Sequence, residues 1–218
     1  MPGWHDCGKD MLSDKHQMWF AWMKIKLEAA GVDVIAQDYP DSYLCRSEYW
    51  LPYIKELGAD EKTILVGHST GAIAAMRFAE NNKILGSVLV GSYYTDLEDA
   101  DEKASGYFDN PWLWDSIKNN QGWIAQFHST DDPWISNQEA YMIHDMLRTE
   151  LHEFNDRGHF GVDRPYKEFP ELLDLLTISL WFYKYTNIRI RCLFAITFDA
   201  RTADQSYRVY ISTNIRAC

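Results

Sequence analysis

Thr63-Ile64-Leu65-Val66-Gly67-His68-Ser69-Thr70-Gly71-Ala72-Ile73-Ala74-Ala75-Met76-Arg77-Phe78-Ala79 is the stretch on which the reading of this 218-residue chain turns. A β-rich run leads into G-x-S-x-G, and a helix of small residues leads out. That order describes a nucleophile elbow, a strand-turn-helix that strains the serine and presents its hydroxyl. The turn is so tight that a side chain at Gly67 or Gly71 would collide with neighbouring backbone, so the glycines provide space and Ser69 the chemistry. The five-residue pattern is common by itself. The flanking strand and helix carry the inference, against the alternative of an ordinary βα turn.

A serine hydroxyl is a weak nucleophile at neutral pH and needs a histidine base, which in turn needs an acid to orient it. In a strand-turn-helix hydrolase the chain order is Ser, then Asp or Glu, then His. Trp123-Ile124-Ala125-Gln126-Phe127 reads as a buried strand. It runs into His128-Ser129-Thr130-Asp131-Asp132-Pro133, a polar loop at the strand's carboxyl end, where ligands of parallel sheets bind. The acid is expected there. Leu151-His152-Glu153-Phe154 is the next strand, and Asn155-Asp156-Arg157-Gly158-His159-Phe160 leaves it, so the base is expected at His159.

The other six histidines fit less well. His5 and His16 precede any strand, His68 is locked in the elbow and His128 shares the acid's loop. His144 falls in a helical stretch from Glu139 to Glu150, and His152 lies within a strand. For the acid, Asp131 and Asp132 compete: one points at the imidazole and the other caps the turn before Pro133. Spacing alone leaves both open.

Gly67 to Phe78 (GHSTGAIAAMRF), Ala104 to Phe108 with Pro111-Trp112, Ser129 to Pro133 (STDDP) and Gly158-His159-Phe160 together resemble the retinoblastoma-binding protein 9 family of small serine hydrolases. The resemblance runs in register from about Trp19 to about Leu176. It implies an α/β-hydrolase fold, a parallel sheet with helices on both faces in three layers. It also implies a nucleophile at Ser69, an acid at the second aspartate, Asp132, and a base at His159. The implied activity is hydrolysis of small esters or amides without a cofactor. A retinoblastoma-type protein partner follows from the resemblance alone. Such a partner reads an L-x-C-x-E motif, and Leu44-Cys45-Arg46-Ser47-Glu48 has the wrong spacing. The alternative function is a catalytically weak or inactive binding protein on a hydrolase scaffold, in which a truncated amino end leaves the triad without a working oxyanion hole.

With 46% apolar residues, the chain can bury a full core without staples. Its net charge of −11 disfavours nucleic acid and anionic membrane surfaces, which need clustered Lys and Arg. No run approaches the ~18 apolar residues of a spanning helix, and Asp6, Lys9, Asp10 and Asp14 sit where a secretory signal needs an apolar core. A cytoplasmic protein is expected. Cys7, Cys45, Cys192 and Cys218 are widely spaced, which suits free thiols and gives no metal-ligand pattern.

Strands and helices alternate. A helix is expected from about Asp14 to Ala30, a strand at Val32 to Ala36, a helix near Ser47 to Leu57 and a strand at Leu85 to Val90, as in a parallel sheet with right-handed crossovers. Between Tyr93 and Asn120 lies an acidic, aromatic excursion on the side where the site should open. It reads either as surface structure packing its aromatics on the core or as a partial lid. In the second reading Tyr107, Trp112 and Trp114, with Phe160 beside the base, line the substrate pocket.

Both ends depart from the family pattern. Family members begin with an apolar strand and a glycine-rich loop, whereas Met1-Pro2-Gly3 has no strand before it, so the first central strand is missing. That loop would supply one oxyanion donor, for which Trp4 in the remnant Pro2-Gly3-Trp4 is the candidate; the other is the Thr70 N–H. The domain is expected to span residues 1–178, followed by an atypical extension, 179–218. The extension reads as an appended hairpin or, preferably, as a translated non-coding or alternatively spliced stretch. The favoured expectation is that it packs loosely outside a destabilised domain. Two alternatives are an ordered hairpin elsewhere and insertion of Arg189 to Phe198 into the empty sheet position, where Cys192 to Ile196 is apolar on both faces.

Overall fold

Runs of aliphatic residues without charges form the centre of the sheet. The structure is a computed structural model that describes residues 18–183 and 190–196. Its strands are β1 (Asp33–Ile35), β2 (Thr63–His68), β3 (Gly86–Val90), β4 (Ile124–Ser129), β5 (Glu150–Phe154) and β6 (Arg191–Ile196). All pair in parallel, in the spatial order β1-β6-β2-β3-β4-β5. Every residue of β2, β3 and β4 is buried, as central parallel strands covered on both faces require.

Helices α1 (Trp19–Ala29), α2 (Ser47–Glu56), α3 (Thr70–Ala79), α4 (Ala100–Ala104), α5 (Trp114–Asn119), α6 (Asn137–Leu147) and α7 (Pro170–Tyr183) accompany the strands. Strand side chains alternate between the two faces. Ile64, Val66, Cys192 and Phe194 face α1 and α7, packing with Met23, Leu27, Leu172 and Leu176. Leu65, Leu193 and Ala195 face the other way, toward α2, α3 and α6, with Trp50, Ile73 and Ile143. The sheet is thus the middle of three layers.

The empty central position is filled, and by the tail. Strand β6 lies between β1 and β2, with Val34 paired to Cys192 on one side and Ile64, Leu65 and Val66 paired to Cys192, Leu193 and Phe194 on the other. For residues 191–196 this overturns the expectation that the tail packs outside. The physical reason is the cost of the vacancy: unpaired N–H and C=O groups inside a core cost about 1–3 kcal/mol each, and β6 satisfies two strands at once while burying both its faces. Helix α7 carries the chain back from the β5 edge along the α1 face, so β6 enters parallel to its neighbours. At the entry, Arg191 donates to the Gly58 carbonyl through Nη1 at 2.8 Å, and its backbone N–H donates to the Lys62 carbonyl at 3.2 Å.

Candidate active site

The carboxyl ends of β2, β3, β4 and β5 converge on one edge of the sheet. At the end of β2 the chain turns directly into α3, with Ser69 between them at φ 54 and ψ −127. A non-glycine residue in that region is strained, and the surrounding turn must hold it there. The geometry shows how: a Cβ on Gly67 would stand 2.3 Å from the Gly71 carbonyl oxygen, and the Ser69 N–H donates to the Val90 carbonyl at 2.9 Å. As the residue preceding α3, Ser69 sits over backbone N–H groups with no partner inside the helix, Thr70 N–H among them. The Thr70 side chain is turned away, its Oγ1 2.9 Å from the Tyr93 hydroxyl and 3.5 Å from Glu102 Oε1 of α4.

His159 lies on the loop after β5 and is 2% exposed. Its Nδ1–H donates to Asp132 Oδ2 at 2.6 Å, and the Asp132 carboxylate is fully shielded from solvent. A neutral imidazole donating through Nδ1 keeps its lone pair on Nε2. The imidazole rests against Gly91, the residue after β3. A Cβ there would stand 2.9 Å from His159 Cε1, and Gly91 takes φ +56. Gly91 follows Val90, whose carbonyl holds the Ser69 N–H, so the imidazole and the strained serine both adjoin the carboxyl end of β3.

Adjacent aspartates have different duties. Asp132 Oδ1 accepts the backbone N–H groups of Trp134 and Ile135 at 2.9 and 3.0 Å, which leaves Oδ2 for the imidazole. Asp131 accepts from Ser129 Oγ at 2.6 Å, from the Gly158 N–H at 2.9 Å and from Arg164 at 3.0 Å. The Ser129 hydroxyl, helped by the Gly158 N–H and the Arg164 guanidinium, holds the Asp131 carboxyl below the usual carboxylate range. Asp131 thus fastens the loop that bears His159, while Asp132 touches the imidazole itself.

That loop is fastened at several further points. The His159 N–H donates to Asp163 Oδ1 at 2.7 Å, and the Phe160 carbonyl accepts from Trp19 Nε1 at 3.1 Å. The His159 carbonyl accepts from His68 Nε2–H at 3.0 Å. Burial, and then the neighbouring His159, keep His68 well below the ordinary histidine range, so it is a neutral donor through Nε2. His68, Gly91 and Asp163 are site residues that the sequence reading left out. A glycine directly after an apolar strand was the signal available for Gly91; His68 and Asp163 carried none, since their roles depend on a loop 91 residues and four residues away, respectively.

The aromatic residues expected at the pocket serve mainly as packing. Tyr107 and Phe160 are fully buried in the core, Phe160 stacked on Phe169 at 5.5 Å. Trp112 donates to the Tyr94 carbonyl at 2.8 Å, lies under the Arg77 guanidinium at 3.7 Å and stacks on Trp114 at 5.3 Å. Arg77 of α3, itself buried, also binds the carbonyls of Tyr107, Asn110 and Pro111. The excursion is therefore riveted to α3, the helix that follows Ser69. Trp4 lies outside the described residues. Among the described residues no group of three or more His, Cys, Asp or Glu side chains is placed to hold a metal ion, and no helix is long and apolar enough to cross a membrane.

Known proteins are similar to this chain over most of its length. Serine hydrolase RBBP9 of Rattus norvegicus is 45% identical over 164 residues, covering 74% of this chain and 86% of its own length. YdeN of Bacillus subtilis strain 168 is 30% identical over 168 residues, 73% of this chain and 86% of its own. The crystal structure of the B. subtilis ydeN gene product superposes with a TM-score of 0.68 at 25% identity, covering 75% of this chain and 91% of that one. The serine hydrolase family model matches residues 1–178. The sheet is that of an α/β hydrolase, and this chain belongs to the serine hydrolase family, with its likeness to RBBP9 extending over most of its length.

Proposed function

We propose that Ser69, His159 and Asp132 act as a catalytic triad that cleaves small esters or amides through an acyl-enzyme. The observation that carries this reading is the 2.6 Å hydrogen bond from His159 Nδ1 to the shielded Asp132 carboxylate, beside a serine held at positive φ. Asp132 fixes the tautomer that leaves Nε2 free as base. Ser69 Oγ attacks the substrate carbonyl as Nε2 takes its proton, and the Thr70 N–H donates to the oxyanion. Collapse breaks the bond to the leaving group, which takes the proton back from His159. Water then enters by the same route and releases the acid.

The excursion is read as one wall of the substrate site, because Glu102 of α4 reaches the residue next to the nucleophile. Tyr107, Trp112 and Trp114 stiffen that wall from behind. The buried thiol of Cys192 suits a reducing compartment such as the cytosol.

A fluorophosphonate probe tests the reading, because an activated serine alone reacts with it. Labelling of the wild-type chain and none of Ser69→Ala, at unchanged melting temperature, is the expected result. An unlabelled wild-type protein would sink the catalytic reading in favour of a binding protein on a hydrolase scaffold.

A further inference from the structure

Two described rings meet the imidazole of His159. His68 is fully buried beneath it, whereas Trp134 stands edge-on to it, with centroids 5.2 Å apart and planes at 84°, and is 39% exposed. A single exposed tryptophan needs no explanation by itself. This one is held by the group that orients the base, since its backbone N–H is bound at 2.9 Å to Asp132 Oδ1 while Oδ2 of the same carboxylate holds the imidazole. The turn cannot move without disturbing the Asp132–His159 pair.

Resting on the triad reading above, we infer that Trp134 is a specificity-determining residue that forms the leaving-group wall of the site and favours esters whose alcohol portion is a flat apolar ring. In acylation the bond from Ser69 Oγ to the carbonyl carbon forms and the ester C–O bond breaks. The proton taken from Ser69 by His159 goes to the departing alkoxide, giving free alcohol. The leaving oxygen therefore stands within hydrogen-bond reach of the imidazole. Of the two described rings against that imidazole Trp134 is the exposed one, and on this inference its indole meets the atoms next to that oxygen. An indole and an aryl ring attract one another by edge and face beyond simple burial, by about 3- to 10-fold in rate or affinity.

The test compares benzyl acetate with ethyl acetate by acid release at constant pH, for the wild-type chain, Trp134→Phe and Trp134→Ala. Both esters give the same acetyl-enzyme, so the ratio of their kcat/KM values reports on the leaving group alone. Trp134→Ala should lower the benzyl-to-ethyl ratio by about 3- to 10-fold, and Trp134→Phe should keep most of it. If turnover is too slow to measure, the slowing of fluorophosphonate labelling by benzyl alcohol against ethanol gives the ratio of the two affinities, which Trp134→Ala should lower in the same direction. An unchanged ratio in Trp134→Ala, with Ser69 still labelled, overturns the inference and leaves the triad reading standing. A wild-type chain that neither hydrolyses nor labels removes both.

Discussion

The elbow at residues 67–71 and strand β6 are neighbours in the sheet, with His68 paired to Ile196, yet they are held by opposite means. The elbow is local: the backbone of Gly71 and Ala72 leaves no room for a Cβ at Gly67, and Ser69 between them is held at positive φ. Strand β6 has no such local constraint. Its position comes from pairing with β1 and β2, well over a hundred residues away, and from burial on two faces. Ser69 thus rests on short-range sterics, and the sheet beneath it on long-range hydrogen bonds and apolar contact.

The comparison breaks most sharply at the acid. If the elbow needs a distant partner only for chemistry, Asp132→Asn should drop kcat by about 10⁴ with little change in melting temperature, because the wrong tautomer then faces Ser69. Steady-state hydrolysis and a thermal melt check it together. Asp131→Asn as the matched control should keep most activity at neutral pH. Equal losses in the two variants would show that the aspartates share one role.

The next effect falls on β6. Phe194, 1% exposed among Trp19, Val66 and Phe169, should cost about 3–5 kcal/mol when replaced by Ala, read from denaturant unfolding. Burial pushes the Cys192 thiol up to about 12, so its alkylation at pH 8 should be slow in the folded chain and appear at the same denaturant midpoint, as site-resolved mass analysis would show. Fast alkylation of native Cys192, or a Phe194→Ala variant as stable as the parent, would mean that the central position is not held by this strand.

His68 joins the two regions, since it pairs with β6 and also binds the His159 carbonyl. His68→Leu leaves that buried carbonyl without a donor, at about 1–3 kcal/mol, and should slow turnover by about 5- to 150-fold. His68→Gln, which still offers an N–H, should recover part of the loss. Identical rates for the two variants would remove the positioning role.

The smallest effect is one of pH. The Asp131 carboxyl is lowered in the folded chain, so its contribution to stability is fully present above the unfolded carboxylate pKa of about 3.9 and is lost as pH falls through the folded value. The melting-temperature gap between the wild-type chain and Asp131→Asn should be constant from pH 7 to about 5 and should close below about 4. A gap that widens in acid would reverse the sign and refute the role given to the Ser129, Gly158 and Arg164 contacts.

Much of the site could be read along the chain because its parts follow a fixed order at strand ends. Ser69 stands in a motif whose sterics act within five residues, and an apolar strand followed by a polar loop marked where the acid and His159 would lie. Spacing alone did not separate Asp131 from Asp132, because both fall on the same loop and their difference is which oxygen meets which N–H across the site. Spacing left the aromatics of the excursion open between packing and pocket lining for a related reason. Whether Trp112 faces a substrate or Arg77 depends on where α3 lies, which no local pattern records.

By itself, then, the sequence determined what short-range forces set: the alternation of strands and helices, the elbow and its strained serine, and the loops that carry Asp132 and His159. Tertiary structure alone decided the neighbours. It chose Asp132 for the imidazole, brought His68, Gly91 and Trp134 around His159, and drew Arg191–Ile196 into the middle of the sheet. The physical reason is that hydrogen-bond satisfaction and burial are properties of the assembled core. A strand that is apolar on both faces announces that it will be buried, but the place that receives it exists only after the other strands have left a row of unpaired backbone groups.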